Sequence, residues 1–461
     1  MEVWFITVVS ICVCPPHIPI ITNITWLLKS FEELEPSLLN LHAKYGPIIT
    51  LRFGSRPLCS SPKRSILLRP PQISRHRHEI ISSDQHSINS TGYGDTWRTL
   101  RRNLSSEILH PSRIKSFSRV RRSVLQTLLT LLKSDSNSNP SVKVIDHFLY
   151  AMFCLLVFMC FGERVTDEKI GDIERVLRQM LVGFSRFNIL NFWPQISRIL
   201  FHKRWEELLQ CRNEQEDVLI TLIRATKQAK EAGKNDEVVS YVDSLLDLQV
   251  PEEKGIEKRK LTEEEIVTLC TEFLTAGTDT TSTVLQWVMA NLVKNPHVQE
   301  RLLEEIKEMV GEREDKEVKE EDVQKMPYLK AVIYEALRRH PPGHFVLPHT
   351  VTKEIVLNDY LIPKNGMVNF MVANMGLDPK VWKDPMEFKP ERFLNDPTFW
   401  RICPGYNLAM LHLALFLANL IWNFEWKVPE GGHVDLTEKE EFTVMMKYPL
   451  QVHLSSRIWN K

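Results

Sequence analysis

A long, mostly apolar stretch lies at residues 261–294, LTEEEIVTLCTEFLTAGTDTTSTVLQWVMANLVK. Thr262 and Glu265 form a capping-box pattern, which predicts that a helix begins there. The next proline is Pro296, so about 32 residues of helix are allowed, or about 48 Å at about 1.5 Å per residue. Because apolar residues occupy most of its faces, this helix is predicted to run through the body of the protein.

The middle of this helix carries the motif AGTDTT at residues 276–281, where the flanking residues predict core. Gly277 costs about 1 kcal/mol relative to alanine inside a helix, and with Ala276 it would leave room for something flat to lie against the helix. Asp279 beside Thr280 predicts an acid–alcohol pair able to pass protons, and back-bonding by threonine can bend the helix. The alternative is a buried polar kink satisfied by water, and the motif alone does not decide between the two.

Helical periodicity predicts that helices dominate the rest of the chain, with a small β portion. The predicted helices are residues 34–45, 95–109, 117–134, 144–161, 168–184, 203–232, 297–310, 326–339 and 405–424. Strand character is found in the segments GPIITLRF, IVLNDYLI, FTVMMK and LQVHL. Residues 55–80 are basic, broken by prolines and without a convincing period, and the charged run at 311–325 predicts a solvated face and loop.

Composition narrows the class of protein. A chain of 461 residues, 43% of them hydrophobic, can bury a large core as one big domain or two. The formal net charge is zero and the isoelectric point is about 7.2, so nothing indicates a nucleic-acid partner. The eight cysteines show no CxxC pair or disulfide-like spacing and are interpreted as reduced thiols in a cytosol-facing protein.

The N-terminus, MEVWFITVVSICVC, is largely apolar after Glu2 and is followed by Pro15 and Pro16. A helix that spans a bilayer needs roughly 20 residues, and a signal peptide usually begins with a basic region, which is absent here. Residues 1–14 therefore predict a shortened membrane anchor, and the alternative is a buried terminal segment. The apolar run from Phe148 to Phe161 is too short to span a membrane and predicts a buried helix.

Charged residues suggest a buried network in the second half of the chain. Glu335 and Arg338 lie three residues apart on one predicted helix face, within bonding reach. Arg392, in the segment FKPERF, is a candidate third member of this network. Alone, a Glu–Arg pair at this spacing is usually a surface ion pair.

Two further patterns indicate binding chemistry. Trp97 and Arg101 place an aromatic ring and a cation one helical turn apart, which suits an anionic group such as a carboxylate. Arg401, Cys403 and Gly405 come directly before a very apolar helix. A cysteine at a helix N-terminus lies at the positive end of the helix dipole, which favours thiolate, and a thiolate can be an axial iron ligand. Alone, a cysteine at a helix start is usually inert.

Together and in this order along the chain, these motifs resemble those of the cytochrome P450 family, in its plant microsomal, membrane-anchored A-type. The resemblance covers most of the chain from about Pro16 onward and implies a mainly α fold with a minor β region, the cytochrome P450 fold. It implies a single haem domain at residues 15–461 behind the shortened anchor. The glutamate and two arginines match the family's ExxR–PERF network, which holds the haem-binding core together.

The resemblance also assigns roles to single residues. Asp279 and Thr280 match the proton-delivering pair of the oxygen-activating helix. The cofactor-binding residues that it implies begin with the haem thiolate ligand Cys403 and with Arg401 in the cysteine loop. Trp97 and Arg101 match the family's WxxxR motif, whose cation meets a haem propionate, and His349 stands where a second propionate contact is usual. The positions expected to face the substrate are Phe273, Ala276, Thr280, Phe345 and Val346.

The activity that the resemblance implies is monooxygenation of a small lipophilic molecule. Haem b (iron protoporphyrin IX) would bind O2, and electrons from NADPH would arrive through the membrane-bound flavoprotein NADPH–cytochrome P450 reductase. The expected location is the endoplasmic reticulum membrane, with the catalytic domain facing the cytosol. No nucleic-acid partner is expected.

The chain departs from the family pattern at three places. The cysteine loop of the family reads FxxGxRxCxG, but here Phe399 stands where the glycine belongs and Asp396 where the phenylalanine belongs. Nine residues separate Phe393 from Cys403, which is shorter than the family's connection. A strand and a helix of the family are not apparent between Pro57 and Arg69, and the anchor is short. These losses support an alternative, a catalytically impaired or haem-free remnant of such an enzyme.

Overall fold

The computed structural model describes most of the chain in one mainly helical body. The described residues are 20–22, 31–46, 48–53, 56–61, 73–75, 87–162, 165–187, 190, 194–233, 238–252, 257–311, 313, 317–347, 349–357, 360–364, 366–394, 403–441 and 443–457. The predicted membrane anchor at residues 1–14, together with Arg401, Phe399 and Asp396, lies outside these described residues.

Helices form most of the described chain, as the periodicity predicts. They are α1 (Phe31–Tyr45), α2 (Asp95–Asn103), α3 (Pro111–Ser116), α4 (Ser118–Ser138), α5 (Val144–Phe161), α6 (Asp167–Phe187), α7 (Pro194–Leu200), α8 (His202–Glu231), α9 (Tyr241–Leu246), α10 (Glu263–Lys294), α11 (Pro296–Val310), α12 (Glu320–Val323), α13 (Pro327–Arg339), α14 (Val372–Leu377) and α15 (Tyr406–Asn423). A π-helical turn at Leu104–Ile108 extends α2, and Pro390–Phe393 forms a 3-10 turn.

The β portion is small and divided among several sheets. Its strands are β1 (Ile20–Thr22), β2 (Ile49–Phe53), β3 (Arg56–Ser61), β4 (Ile73–Arg75), β5 (Val142–Lys143), β6 (Gln249–Pro251), β7 (Lys258–Lys260), β8 (His349–Val351), β9 (Ile355–Leu357), β10 (Tyr360–Ile362), β11 (Met367–Phe370), β12 (Phe424–Lys427), β13 (Glu438–Glu440), β14 (Val444–Met446) and β15 (Gln451–Ser456). Six strands form one sheet in the order β1-β2-β3-β11-β8-β4.

Residues 55–80 contain β structure that the sequence pattern did not predict. β3 pairs antiparallel with β2 and parallel with β11, where Cys59 lies opposite Val368. β4 pairs antiparallel with β8. The expectation that a strand is missing between Pro57 and Arg69 is therefore wrong, because β3 is present and pairs with residues about 300 positions later in the chain. Residues 62–69, where a helix is also expected to be missing, lie outside the described residues.

The central helix of the body is α10, as predicted. Its first residue, Glu263, follows the N-cap Thr262, whose hydroxyl accepts a hydrogen bond from the Glu265 N–H, while the Glu265 carboxylate accepts one from the Thr262 N–H. The helix ends at Lys294, directly before Asn295 and Pro296. It packs against α5, α8, α13 and α15, so the apolar faces of α10 are buried among other helices.

α5 is the most apolar partner of α10. By length and composition it is the one helix of the described chain that could cross a membrane, yet 78% of it is buried inside the protein. Phe148, Leu155 and Val157 are fully buried, and Cys154 and Cys160 lie in the same core. The predicted buried helix is confirmed, because the apolar side chains of α5 are packed in the protein core.

The predicted charge network is also confirmed. The Arg338 guanidinium donates to both carboxylate oxygens of Glu335 at 2.8 Å, and both side chains are buried. Arg392 Nε donates to Glu335 Oε1 at 3.4 Å, and the backbone N–H of Lys389 donates to the same oxygen at 2.8 Å. The network thus joins α13 to the 3-10 turn that precedes the cysteine segment. Arg338 also donates to the Gly376 carbonyl at 2.7 Å.

Candidate functional site

The middle of α10 is uncovered although the helix around it is buried. Ala276 is exposed and Thr280 is half-buried, whereas the residues from 281 to 293 are all buried. The Thr280 hydroxyl donates to the Ala276 carbonyl at 2.7 Å, which is the predicted back-bonding. The two residues lie one helical turn apart and form a small-residue face that no neighbouring helix of the described chain covers.

Gly277 serves helix packing instead of leaving room for a flat group. A Cβ atom at this position would lie 2.6 Å from Cδ1 of Leu156 on α5, closer than carbon atoms pack. Glycine therefore allows α5 and α10 to approach each other closely. The expectation that Gly277 and Ala276 together make space is right only for Ala276.

Asp279 faces α6, on a different side of α10 from Thr280. Successive helix residues are rotated by about 100°, and Asp279 lines a cavity of about 40 Å³ with Glu174, Arg178 and Thr278. Burial raises the pKa of Asp279 to about 6, although the Arg178 guanidinium opposes this rise. The structure therefore directs the two side chains to different sides of α10, and their role as a proton-passing pair stays a prediction.

The small cavity beside Asp279 has the size and polarity to hold water. A volume of about 40 Å³ exceeds the roughly 15 Å³ that one water needs. The buried hydroxyl of Thr278 has no hydrogen-bond partner among the described residues, and a buried hydroxyl without a partner is costly. A water in this cavity would satisfy Thr278 and contact the Asp279 carboxylate.

Cys403 is an exposed thiol just before α15. The backbone N–H of Tyr406, the first residue of the helix, donates to the Cys403 carbonyl at 3.3 Å, and Gly405 is the N-cap. The following residues Ala409 and Met410 are half-buried, whereas the later part of α15 is buried. The exposed thiol thus comes just before the partly uncovered first turns of an apolar helix, and its role as haem ligand stays a prediction.

The other predicted cofactor contacts are found on separate elements. Trp97 and Arg101 lie one turn apart on α2, and both are half-buried. His349 is the first residue of β8, half-buried, opposite Val368 of β11. Arg401 lies outside the described residues. The roles of these residues toward a cofactor remain predictions.

Glu272 is a residue of this region that the sequence reasoning missed. Its carboxylate accepts a hydrogen bond from the Ile88 N–H at 2.9 Å, and the Ile88 carbonyl accepts one from the Trp97 indole N–H at 3.1 Å. One residue of the loop before α2 thus connects α2 with α10. The sequence does contain a signal for Glu272, because it is an acidic residue one turn before Ala276 in a helix that is otherwise predicted to be buried.

The predicted substrate-facing residues lie on α10 and on the segment that follows α13. Phe273 is half-buried, with its ring 5.3 Å from that of Tyr241 on α9. Phe345 and Val346 are half-buried and follow α13; the Val346 N–H donates to the Phe370 carbonyl of β11 at 3.0 Å. Leu347 beside them is 56% exposed, so this segment presents apolar surface.

The residues present fit a haem. A flat, largely apolar group needs an apolar surface of small residues, which α10 provides at Ala276, and an iron ligand, which the exposed thiol of Cys403 provides. α10 and α15 pack against each other, so the helix with the small-residue face contacts the helix that begins beside the thiol. Arg101 and His349 add cationic or hydrogen-bonding side chains of the kind that bind carboxylates.

A second cavity, of about 570 Å³, lies away from this site. Its lining residues include Phe161 at the end of α5, Leu222 on α8 and Asp243 on α9. Val165 and Val239 also line it, and they adjoin or lie close to residues outside the described chain. It is therefore not assigned a role.

The chain is similar to known proteins over most of its length. The family model for cytochrome P450 matches residues 13–454. Cytochrome P450 89A9 of Arabidopsis thaliana is 43% identical over 96% of this chain and 93% of its own length. Isoflavone 2'-hydroxylase of Glycyrrhiza echinata is 29% identical over 96% of this chain and 91% of its own length.

The fold also matches solved structures. A zebra fish cytochrome P450 structure with progesterone aligns with a TM-score of 0.77 at 21% identity, covering 91% of this chain and 99% of that one. This likeness shows the mainly α fold with its minor β region. With the family match over nearly the whole sequence, it follows that the chain is a member of the cytochrome P450 family, whose members are monooxygenases.

Proposed function

We propose that this cytochrome P450 is a haem-thiolate monooxygenase that inserts one oxygen atom of O2 into a small lipophilic substrate. The observation that carries the proposal is the uncovered face of α10 at Ala276 and Thr280, on a helix packed against α15, which begins just after the exposed thiol of Cys403. Haem b, when bound through Cys403, supplies O2 binding and electron transfer. Trp97, Arg101, His349 and Arg401 would hold its propionates and the cysteine loop.

Asp279 and Thr280 would supply protons to the uncovered face. Because burial raises the pKa of Asp279 to about 6, its carboxyl group gains and loses a proton near neutral pH, as a general acid must. The side chain lines the cavity beside Arg178 and Glu174 on α6, from which water can deliver the proton. The Thr280 hydroxyl, on the uncovered face, would orient the final donor.

The chain's own surface suits an apolar substrate. Ala276, Phe345 and Val346 offer small or apolar side chains that are exposed or half-buried. One relative is named as an isoflavone 2'-hydroxylase. An isoflavone is a small aromatic molecule, so this relative supports a small lipophilic substrate for the present chain as well. The substrate-binding residues would exclude water by apolar packing.

The electron supply and the membrane location extend this proposal. We infer that NADPH–cytochrome P450 reductase delivers the electrons, and that residues 1–14 anchor a single haem domain, residues 15–461, to the endoplasmic reticulum membrane, facing the cytosol. The support is the similarity to plant cytochromes P450 and the apolar composition of the N-terminal segment.

The alternative of an impaired or haem-free remnant rests on the connection between Phe393 and Cys403. Residues 395–402 of this connection lie outside the described chain. In the described part, Glu335 keeps its bonds to both arginines, and Cys403 precedes its helix as in the expected arrangement. Nothing in the described part of the chain favours the alternative.

The carbon-monoxide difference spectrum of the reduced, purified protein tests the proposal. A thiolate-ligated haem gives a strongly red-shifted Soret band, and Cys403→Ser is expected to abolish that band while the far-UV circular dichroism is retained. The matched control is Cys211→Ser, a half-buried cysteine on α8, which should keep the band. A wild-type protein without haem or without the red shift would overturn the proposal and favour the remnant.

A further inference from the structure

A cluster of one imidazole and three carboxylates lies where α1, the segment after α13 and β13 come together. Glu35 on α1, His344 after α13 and Glu440 on β13 each offer a ligand atom, and these three atoms lie within 4.8 Å of one another. Glu438, also on β13, contacts the same imidazole. None of these residues belongs to the site described above.

Each ring nitrogen of His344 lies within hydrogen-bonding distance of a different carboxylate. Nε2 lies 2.9 Å from Glu438 Oε2, and Nδ1 lies 2.6 Å from Glu35 Oε2. Histidine ligands of metals usually hydrogen-bond a carboxylate through the nitrogen that does not bind the metal. Glu438 occupies that orienting position, which leaves Nδ1 directed toward Glu35 and Glu440.

The carboxylate of Glu438 is also hydrogen-bonded to a second histidine through its other oxygen. Glu438 Oε1 lies 2.6 Å from Nδ1 of His340, which is fully buried. The His340 ring stacks on Trp287 of α10 with centroids 3.9 Å apart and planes 4° apart. The Trp287 indole N–H donates to the Val444 carbonyl at 2.8 Å. The second layer of the cluster is thus fixed to the core helix, as a preformed metal site requires.

We propose that Glu35, His344 and Glu440 form a binding site for a divalent transition metal ion of the zinc class. One imidazole nitrogen and two carboxylate oxygens are a donor set that zinc accepts, with a solvent molecule completing four ligands. Ligand atoms about 2.0–2.2 Å from a tetrahedral zinc lie roughly 3.4 Å from one another. The ion would therefore displace the proton between His344 Nδ1 and Glu35 Oε2 into solvent, and these two atoms would move apart from their present 2.6 Å.

The charges of the cluster favour a cation. Glu35, Glu438 and Glu440 bring three carboxylates to one imidazole, and the nearby guanidinium of Arg339 interacts with Glu438. A divalent ion bound by the carboxylates of Glu35 and Glu440 makes the ligand set neutral. The negative charge of Glu438 is met by the His340 imidazole and the Arg339 guanidinium. The alternation of β13 places Glu438 and Glu440 on the same inward side, with Lys439 between them exposed.

The bound ion would be a structural clip between distant parts of the chain. It would join α1 near the N-terminus, the segment that follows α13, and β13 near the C-terminus. Because a ligand that binds only the folded state stabilises it, zinc would raise the melting temperature and protect α1 from opening. This role is independent of the proposed monooxygenase activity.

Zinc binding to the purified full-length protein, with its cofactor and after treatment with EDTA, tests the proposal. Isothermal titration with ZnCl2 alone should show one site, with a melting temperature that rises on saturation. Glu440→Gln should weaken this site at least 100-fold, and Glu438→Gln, which keeps all three ligands, about 10–100-fold. The matched control is Glu441→Gln, because Glu441 is an exposed neighbour paired with Lys439, and its zinc affinity should be unchanged.

A measurement on the unaltered protein keeps the proposal testable if a variant does not fold. X-ray absorption at the zinc edge should show one imidazole and otherwise oxygen ligands at about 2.0–2.2 Å. A sulfur ligand, the absence of saturable binding, or equal affinity in Glu440→Gln and Glu441→Gln would overturn the proposal. The cluster would then be an ion-pair network in which a protonated His344 holds Glu35 and Glu438.

Discussion

Replacing Asp279 by asparagine is expected to stabilise the protein at neutral and alkaline pH. Burial raises the pKa of Asp279 to about 6 from its ordinary 3.8. The folded state therefore binds the proton more tightly than the unfolded state, so the stability contributed by this group is lost as pH rises from about 4 to about 6. Above pH 6 the folded protein holds a partly desolvated charge, which asparagine removes without a change of size.

The size of the expected stabilisation follows from the pKa shift of Asp279. At about 1.4 kcal/mol per pKa unit, the rise from 3.8 to about 6 corresponds to at most about 3 kcal/mol above pH 7, and to roughly half of that at pH 5. Arg178 already offsets part of the penalty. In an Arg178→Met background the stabilising effect of Asp279→Asn should therefore be larger.

Urea unfolding of the haem-loaded parent and of the Asp279→Asn variant at pH 5 and pH 8 measures the change in the free energy of unfolding. The matched control is Asp172→Asn, which removes an exposed carboxylate on α6 and should change the free energy of unfolding by less than about 0.5 kcal/mol. If Asp279→Asn is less stable than the parent at pH 8, the carboxylate is held by a net favourable ion pair with Arg178, and the desolvation argument is refuted.

Three further substitutions test the packing and the site. Arg338→Ala should leave the buried Glu335 without its bidentate partner, with only the longer bond from Arg392 and the Lys389 N–H remaining, and lower the free energy of unfolding by roughly 3–5 kcal/mol. Arg301→Ala, in an exposed pair, should change it by at most about 1 kcal/mol, and equal urea midpoints would contradict the network. Gly277→Ala should destabilise by about 1–3 kcal/mol in a thermal melt, because its Cβ overlaps a leucine of α5; a gain in stability would mean that helix propensity decides. Thr280→Ala should keep the carbon-monoxide spectrum but raise peroxide release relative to product, and tight coupling would limit the hydroxyl to a structural role.

The sequence predicted best those features that short-range rules control. The capping box at Thr262 and the proline at 296 set the ends of α10, and the structure begins and ends the helix within two residues of the expected positions. The spacing of Glu335 and Arg338 likewise placed both side chains on one face of α13. In each case the decisive contact lies within one helical turn or at a helix end.

Features that depend on distant partners could not be predicted in the same way. β3 has no clear pattern of its own, and its strand conformation comes from pairing with β2 and β11. The charged run at 311–325 was interpreted as a solvated face, yet Glu320 forms two hydrogen bonds of 2.8 and 3.0 Å with Arg121, which is fully buried on α4. The periodicity of a charged segment does not show which cation it meets.

In the motif AGTDTT, too, the surroundings of each side chain depend on partners that are distant in the sequence. Its composition marked residues 276–281 as a functional break, and the uncovered Ala276 agrees with that. The direction of each side chain depends on neighbours: Gly277 meets α5, and Asp279 meets α6. Sequence identifies the chemical groups here, but the surrounding helices decide which of them share a surface.

The pairing of β3 with β11 has a consequence for synthesis of the chain. Cys59 pairs with Val368, so the inner edge of β3 stays without its partner until about 300 further residues have left the ribosome. At about 5–20 residues per second, that wait is roughly 15–60 s. An open strand edge is a template for pairing between chains. We therefore expect the antiparallel pair of β2 and β3 to be most exposed to aggregation during this interval.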